Sequence, residues 1–290
     1  MTDDRWIAAQ FEEHRAHLEA VAYRMLGSQS EADDAVQEAW LRLSRANATG
    51  VENLGGWLTT VVGRVCLDML RSRKSRREEA INPHTPDPAD PEGANAPERE
   101  TLLAESVGLA LLVVLERLAP AERLAFVLHD MFALSFDEIA PIVGRTSGAA
   151  RQLASRARRR VQGNASASDA ELQNHRAVVT AFLAASRRGN FDALVAVLAP
   201  DVVLRAEMSN GEEREIRSAS AVAGQALTFA ARAQLSHIAL VNGAVGVIVA
   251  PKGRLLVAFE FEISGEQIAR IDVITRPERL QRLDLAVLRE

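Results

Sequence analysis

Residues 136–160 admit few arrangements other than helix, tight turn, helix. Ile139, Ala140, Val143, Ala150 and Leu153 are small or apolar where two helices must cross at a steep angle. Gly144 stands where the turn needs a positive φ. Thr146 is placed to cap the second helix. Pro141 lies inside the first helix, where it removes one hydrogen bond and predicts a local kink. The second helix carries Arg151, Gln152, Ser155, Arg156, Arg158, Arg159 and Arg160 with no acid among them. A helix of this kind fits the major groove of DNA.

The net charge of the 290-residue chain is −5, which as an average argues against nucleic acid. Charge is segregated, however, and local patches set phosphate binding. Segments 71–77 and 151–160 are basic, while the Pro-rich stretch between them is acidic. Hydrophobic residues make up 48% and aromatics only 4%, so Leu, Val, Ile and Ala must build the cores. Cys66 is the single cysteine, which excludes an intrachain disulfide and a cysteine-based zinc site and suits a reducing, cytoplasmic setting. The start Met1-Thr2-Asp3-Asp4 lacks the pattern of a signal peptide, and no apolar run is long enough to span a bilayer.

Five of the ten prolines, Pro83, Pro86, Pro88, Pro91 and Pro97, fall among Asp, Glu, Gly and Asn. A segment of that composition cannot bury enough apolar surface to fold alone and is read as a linker over 81–101. A second boundary falls at residues 163–168, which are small and polar. The expected organisation is therefore a helical domain in 1–80, the linker, a helix-turn-helix domain in 102–163 and a third domain in 171–290.

Within the first domain, Ala32, Ala35, Val36, Ala39, Trp40 and Leu43 repeat at helical spacing, and Ser30 with Asp33 resembles a capping box. Asn53 can cap the next helix, whose apolar stripe is Leu54, Trp57, Leu58, Val61, Val62, Val65 and Met69. Pro120 suits the first turn of a later helix. The third domain begins with two helices, 171–188 and 191–198. Strand patterns follow at 202–207, 235–241, 244–249, 255–263 and 268–274, with Asn242-Gly243 a strong hairpin signal. Pro277 starts a last helix running to about Leu288. Helices first and an antiparallel meander afterwards predict an α+β domain with a curved antiparallel sheet wrapped on helices.

Specific motifs carry a family resemblance. Residues 30–41 (Ser-Glu-Ala-Asp-Asp-Ala-Val-Gln-Glu-Ala-Trp-Leu) resemble the polymerase-binding helix of region 2 in the extracytoplasmic-function type of bacterial RNA polymerase sigma factors. Residues 57–71, from Trp57 to Arg71, resemble the helix behind that family's −10 contacts. Residues 118–123 (Leu-Ala-Pro-Ala-Glu-Arg) and the helix-turn-helix resemble its region 4. The last third is similar to a SnoaL-type cone, a relative of the ketosteroid isomerase fold. Three motifs usual in sigma factors carrying such a cone are altered. The linker has Asn82-Pro83-His84-Thr85-Pro86, without the usual tryptophan. The loop after the first cone strand has Ser209-Asn210-Gly211-Glu212-Glu213-Arg214 in place of a glycine-rich motif. Near the end, Arg276-Pro277-Glu278-Arg279-Leu280 only echoes the usual Asn-Pro-Asp-Lys-Leu.

The resemblance implies partners and roles. Asp34, Gln37 and Leu41 share one helical face, which as bare spacing reads as a solvated surface. With Asp33 and Glu38 the resemblance makes it the docking face for core RNA polymerase. Asn53, Arg64, Arg71, Arg73, Lys74, Arg76 and Arg77 are implied at the −10 element, with Asp68 placed to hold Arg64, and the loop 46–52 is implied in capturing a flipped base. Thr146, Ser147, Arg151, Gln152 and Ser155 are expected at base edges of the −35 element, with Arg156, Arg158 and Arg159 on phosphates.

No phosphate-cradling glycine motif and no nucleophile elbow is present. His14 and His17 share a helix without an acid cluster, and His129-Asp130 reads as structural. In the cone, Glu260 and Glu262 lie on one side of a strand, and Asp201, His237 and Asp272 are further acid–base candidates. The plainer reading places Glu260 and Glu262 in solvent, since fold does not imply function. The sequence thus favours a promoter-specificity subunit that is not an enzyme, uses no cofactor and is regulated in cis by its cone packing on the sigma modules. The alternatives are a ligand-responsive helix-turn-helix regulator acting without polymerase, and an isomerase or hydrolase with a DNA-binding appendage. Under any of these readings the cone has room to be tested for a small apolar ligand, which the sequence does not assign.

Overall fold

A computed structural model describes residues 2–45, 53–79, 108–163, 167–207 and 213–288. The linker reading over 81–101, the base-capturing loop 46–52 and the altered motif at 209–212 lie outside the described residues. The chain divides into two compact units, Met1–Gly108 with Leu115–Arg158, and Leu109–Val114 with Arg159–Glu290.

The first unit is helical. α1 (Thr2–Leu26), α2 (Gln29–Arg45) and α3 (Leu54–Glu79) pack on one another because each carries an apolar stripe at 3.6-residue spacing. Phe11, Leu18, Val21 and Met25 from α1 meet Ala32, Val36, Ala39 and Leu43 from α2 and Leu58, Val62 and Val65 from α3 in the buried core. Trp40 stays half-buried with its ring 5.1 Å from that of Phe11. α2 begins two residues earlier than the sequence suggested. Its first helical bond runs from the Ala32 N–H to the Ser28 carbonyl, and Asp33 accepts from the Gln29 side chain at 2.8 Å instead of forming a box with Ser30.

After α4 (Leu109–Glu116), α5 (Pro120–Phe126) opens on Pro120 as expected, continues into a π-helical turn (Val127–Met131), and leads to α6 (Phe136–Val143) and α7 (Ser147–Gln162). α6 starts in a complete capping box between Ser135 and Glu138. It continues helically through Pro141. It ends at Gly144 in the left-handed region, φ 67°, the conformation that favours glycine. α5 and α6 pack against α3. Gly63 on α3 sits at that crossing, where a Cβ would lie 3.4 Å from Leu128 Cδ1 and 3.7 Å from Ile142 Cγ2.

The second unit holds the cone. α8 (Asp169–Arg188), capped by Ser168 and Glu171, and α9 (Phe191–Val197), capped by Asn190, precede β1 (Leu198–Glu207) and β2 (Glu213–Arg217). α10 (Ala219–Thr228) and a short α11 (Ala230–Ala233) lead to β3 (Ser236–Val241), β4 (Ala244–Val249), β5 (Val257–Ser264) and β6 (Gln267–Ile274). α12 (Pro277–Arg282) and β7 (Leu285–Ala286) complete it. The sheet order is β2-β1-β6-β5-β4-β3-β7.

The meander β3 to β6 is antiparallel as read, and Asn242 and Gly243 both take positive φ, 51° and 81°, as a tight hairpin requires. The sheet is nevertheless mixed, because β1 lies parallel to β6. Long-range pairing of this kind leaves no local signature. The register of β1 breaks between Leu198 and Val203, around Pro200, which cannot donate to a ladder. β2 and α10 were not anticipated. The last helix stops at Arg282, earlier than expected, because the chain turns to add β7 along β3.

Side chains alternate across the sheet. Leu204, Val247, Phe259, Phe261 and Ile271 share the face that packs with Val178, Val179, Phe182 and Leu183 of α8. The Phe182 and Phe261 rings meet edge-on at 5.7 Å. Arg205, Glu215, Glu260, Glu262, Arg270 and Asp272 occupy the opposite face, in register across β2, β1, β6 and β5.

Candidate nucleic-acid interface

α7 buries one stripe, Ala150, Ala154, Ala157 and Val161. At 3.6 residues per turn the opposite stripe is Gly148, Gln152, Ser155 and Arg159, all exposed. Small residues on the buried side let α7 approach the other helices closely and leave its polar side outward. Thr146 caps the helix as expected, its hydroxyl accepting from the Ala149 N–H at 3.3 Å. Ser147 donates its hydroxyl to Asp137 at 2.5 Å, which ties the start of α7 to the first turn of α6.

The arginines of α7 divide by their partners. Arg156 pairs with the buried Glu122 at 3.5 Å, and Arg158 pairs with Asp130 at 2.6 Å. Arg151 is exposed, with its guanidinium 5.3 Å from the centroid of the Phe136 ring. The acids Glu122 and Asp130 lie about 30 residues before their partners, so no local pattern connects them.

The −10 set gathers on α3. Asn53 caps the helix as read, accepting from the Gly56 N–H at 2.9 Å. Arg64, Arg71, Lys74 and Arg76 are exposed, and Arg77 lies in the last turns of the helix. Arg64 donates to the Pro141 carbonyl at 3.5 Å, and Asp68 lies 3.8 Å from Arg71 instead of holding Arg64. Arg73 turns inward, paired with Glu31 of α2 and donating to the Leu26 carbonyl at 3.2 Å. It fastens the three helices together. Between α2 and α3 an open groove of about 300 Å³ brings Arg42, Asp68, Arg73 and Arg76 over Val65 and Met69.

On α2, Asp34, Gln37 and Leu41 are exposed together, and Leu41 is one of few large apolar side chains so placed among the described residues. Glu38 is held by Arg42 at 2.9 Å and Asp33 by Gln29. This is a mixed acidic and apolar face on one helix.

Sequence reading missed a buried cationic seam in the same unit. Arg123 of α5 is 2% exposed and donates to the Arg24 carbonyl at 3.2 Å. Burial pulls its pKa down to about 10, so it stays protonated at neutral pH. The Arg24 guanidinium sits 5.2 Å from the Phe132 ring, and burial lowers its pKa too. His17, 3.3 Å from the Thr59 hydroxyl, is edge-on to the same ring, and its pKa is lowered by burial and then by His14 and Arg24. The Cys66 thiol is buried and pushed up to about 12 by desolvation, which makes it a poor nucleophile.

The acid–base candidates of the cone do not converge. Glu260 accepts from Asn242 at 2.6 Å, while Arg270 holds Glu262 and Asp272, each at 2.9 Å. Asp201 is exposed in β1. His237 is half-buried in β3, with its pKa lowered by burial and then by Arg187. Among the described residues no group of three or more His, Cys, Asp or Glu could hold a metal ion, and no helix is long and apolar enough to cross a membrane.

Comparison with known proteins matches these elements. The Sigma-70 region 2 family matches residues 10–76 and the Sigma-70 region 4 family matches residues 108–161. The ECF RNA polymerase sigma factor SigJ of Mycobacterium tuberculosis is 40% identical over 253 residues, covering 83% of this chain and 80% of that protein. The probable ECF RNA polymerase sigma factor SigI of the same species is 40% identical over 197 residues, 68% of each chain. The crystal structure of M. tuberculosis SigJ aligns with 94% of this chain and 98% of its own, at 34% identity and a TM-score of 0.47. With the acidic face of α2, the basic end of α3 and the helix-turn-helix inside the matched stretches, the chain belongs to the ECF RNA polymerase sigma factors, a family that is not an enzyme class.

Proposed function

We propose that this chain directs core RNA polymerase to specific promoters and initiates transcription there, with its cone domain regulating that activity in cis. In this reading 1–80 is region 2, 81–101 the linker, 102–163 region 4 and 171–290 the cone. The Asp34–Gln37–Leu41 face of α2 docks on the polymerase, with Asp33 and Glu38 at its margins. Arg64, Arg71, Lys74, Arg76 and Arg77 neutralise phosphates near the −10 element, beside the Asn53 cap and with Arg73 holding the scaffold. The outward stripe of α7 enters the major groove at the −35 element. Thr146, Ser147, Gln152 and Ser155 lie toward base edges, and Arg159 toward phosphate.

The observation that carries the reading is one scaffold with an exposed acidic and apolar helix face and a separate outward helix stripe without acids. Regulation in cis is supported by contacts within the second unit. The Val287 N–H donates to the Val161 carbonyl at 2.8 Å, and Ala286 lies against Gly163, so the chain leaving the last strand of the cone satisfies one carbonyl in the last turn of α7.

Reconstitution with core polymerase and run-off transcription from candidate promoters tests the first part. Specific transcripts are expected, while a DNA shift that needs no polymerase, with no transcript, overturns it. For the second part, Val287→Pro removes the donor to Val161, and truncation after Gly163 removes the cone. Promoter output unaltered in both refutes regulation in cis.

A further inference from the structure

We infer that Phe136, backed by His129, is a positioning residue that fixes Arg151 to read a guanine in the −35 element. The inference rests on α7 being the DNA-reading helix and adds the device that sets one of its contacts. The Phe136 ring stacks on the His129 ring at 3.9 Å with 29° between planes, and the Arg151 guanidinium lies 5.3 Å from the centre of the Phe136 ring. The base of this stack is fixed. His129 Nδ1 is 2.8 Å from the Leu134 carbonyl, which can only accept, so Nδ1 carries the proton. The π-helical turn holding His129 is closed by Ala133 N–H to the His129 carbonyl and Leu134 N–H to the Leu128 carbonyl.

What distinguishes Arg151 is how it is held. Arg156 and Arg158 spend donors and charge on Glu122 and Asp130. The carboxylates next to the two rings in the chain are occupied, Asp130 by Arg158, Asp137 by the Ser147 hydroxyl and Glu138 by its capping box with Ser135. An aromatic face attracts a guanidinium through its quadrupole and leaves the N–H edge unspent. A planar fork presented that way, in the second turn of a recognition helix, matches the N7 and O6 acceptors of guanine in the major groove. A freely rotating arginine would pay the ordering cost on binding, whereas this one is ordered beforehand.

The test uses the full-length chain with core polymerase on promoters randomised across the −35 element, read by transcript sequencing. Phe136→Leu keeps the apolar volume but loses the ring face. It is expected to reduce the preference for guanine at one position by about tenfold, within the range one bidentate contact supplies, with the salt slope of binding unchanged. Phe136→Trp is expected to restore the preference, and Phe136→Leu combined with Arg151→Ala to match Arg151→Ala alone. An unchanged preference in Phe136→Leu while Arg151→Ala loses it overturns the positioning role. Loss spread evenly over all positions, or additive effects in the double variant, also overturns it. If Arg151→Ala alters no base preference, the reading of Arg151 itself fails.

Discussion

Arg123 donates from α5 to the main-chain carbonyl of Arg24, 3.2 Å away and 99 residues earlier in the chain. The contact places a buried cation at the C-terminal end of α1, where unpaired carbonyls and the helix dipole favour positive charge. Burial opposes it, which is why the guanidinium pKa falls to about 10, yet the charge persists at neutral pH. Arg123→Ala leaves a cavity and an unsatisfied buried carbonyl. A loss of about 3 kcal/mol is expected, read from the urea midpoint at constant slope. A loss below about 1 kcal/mol would mean that the carbonyl finds another donor.

The face of α2 makes a separable prediction. Asp34 and Leu41 are exposed and lie outside the buried core, so Asp34→Lys and Leu41→Ser are expected to keep the melting temperature close to that of the wild type. Charge reversal at a docking face slows association and weakens the complex, so affinity for core polymerase should fall by roughly tenfold or more. Pull-down or fluorescence titration with purified core measures this. Retained affinity in both variants would move the docking site elsewhere.

The basic residues of α7 should not behave alike. Arg159 lies on the outward stripe, and Arg159→Ala is expected to weaken binding to all −35 duplexes and flatten the salt dependence by about one unit of slope. Arg158 is half-exposed and already neutralised by Asp130 at 2.6 Å. Arg158→Ala is expected to cost about 0.5–1 kcal/mol of stability and to change the salt slope less than Arg159→Ala does. Anisotropy titrations over a range of salt, with thermal melts alongside, distinguish the two positions.

The cone should lose stability in acid through His237. Its pKa is lowered in the folded state, first by burial and then by the Arg187 guanidinium, which is fixed by donating to the Ala233 and Ser236 carbonyls. As pH falls through about 6.5, the unfolded chain takes up a proton that the folded cone still refuses. Stability is therefore full above that value and declines below it, until the folded pKa is reached. His237→Gln should flatten the difference between urea midpoints at about pH 7.5 and about pH 5.5. An equal acid loss in the variant would assign the effect to other groups.

Much of the fold was legible because its signals are local. Asn242-Gly243 sets the hairpin through its own φ values, Pro120 and Thr146 mark helix starts, and Gly144 ends α6 in the only region its turn permits. Ser30 misled because the helix boundary lies two residues earlier, at Ser28, and both serines can cap. The helix α10 was missed because its Ala, Ser, Val and Gly pattern carries a weak apolar period. The overlong reading of the last helix failed because pairing of Leu285 and Ala286 with β3 outweighs helix propensity there.

By itself the sequence determined the helical stripes, the hairpin, the helix-turn-helix and the acidic and basic faces, since each depends on residues within a few turns. Tertiary structure alone decided that β1 runs parallel to β6, that Arg73, Arg156 and Arg158 are committed to Glu31, Glu122 and Asp130, and that Arg151 is held by a ring. Those outcomes depend on which distant groups the fold brings within a few ångströms, and charge, hydrogen bonding and packing act only at that range.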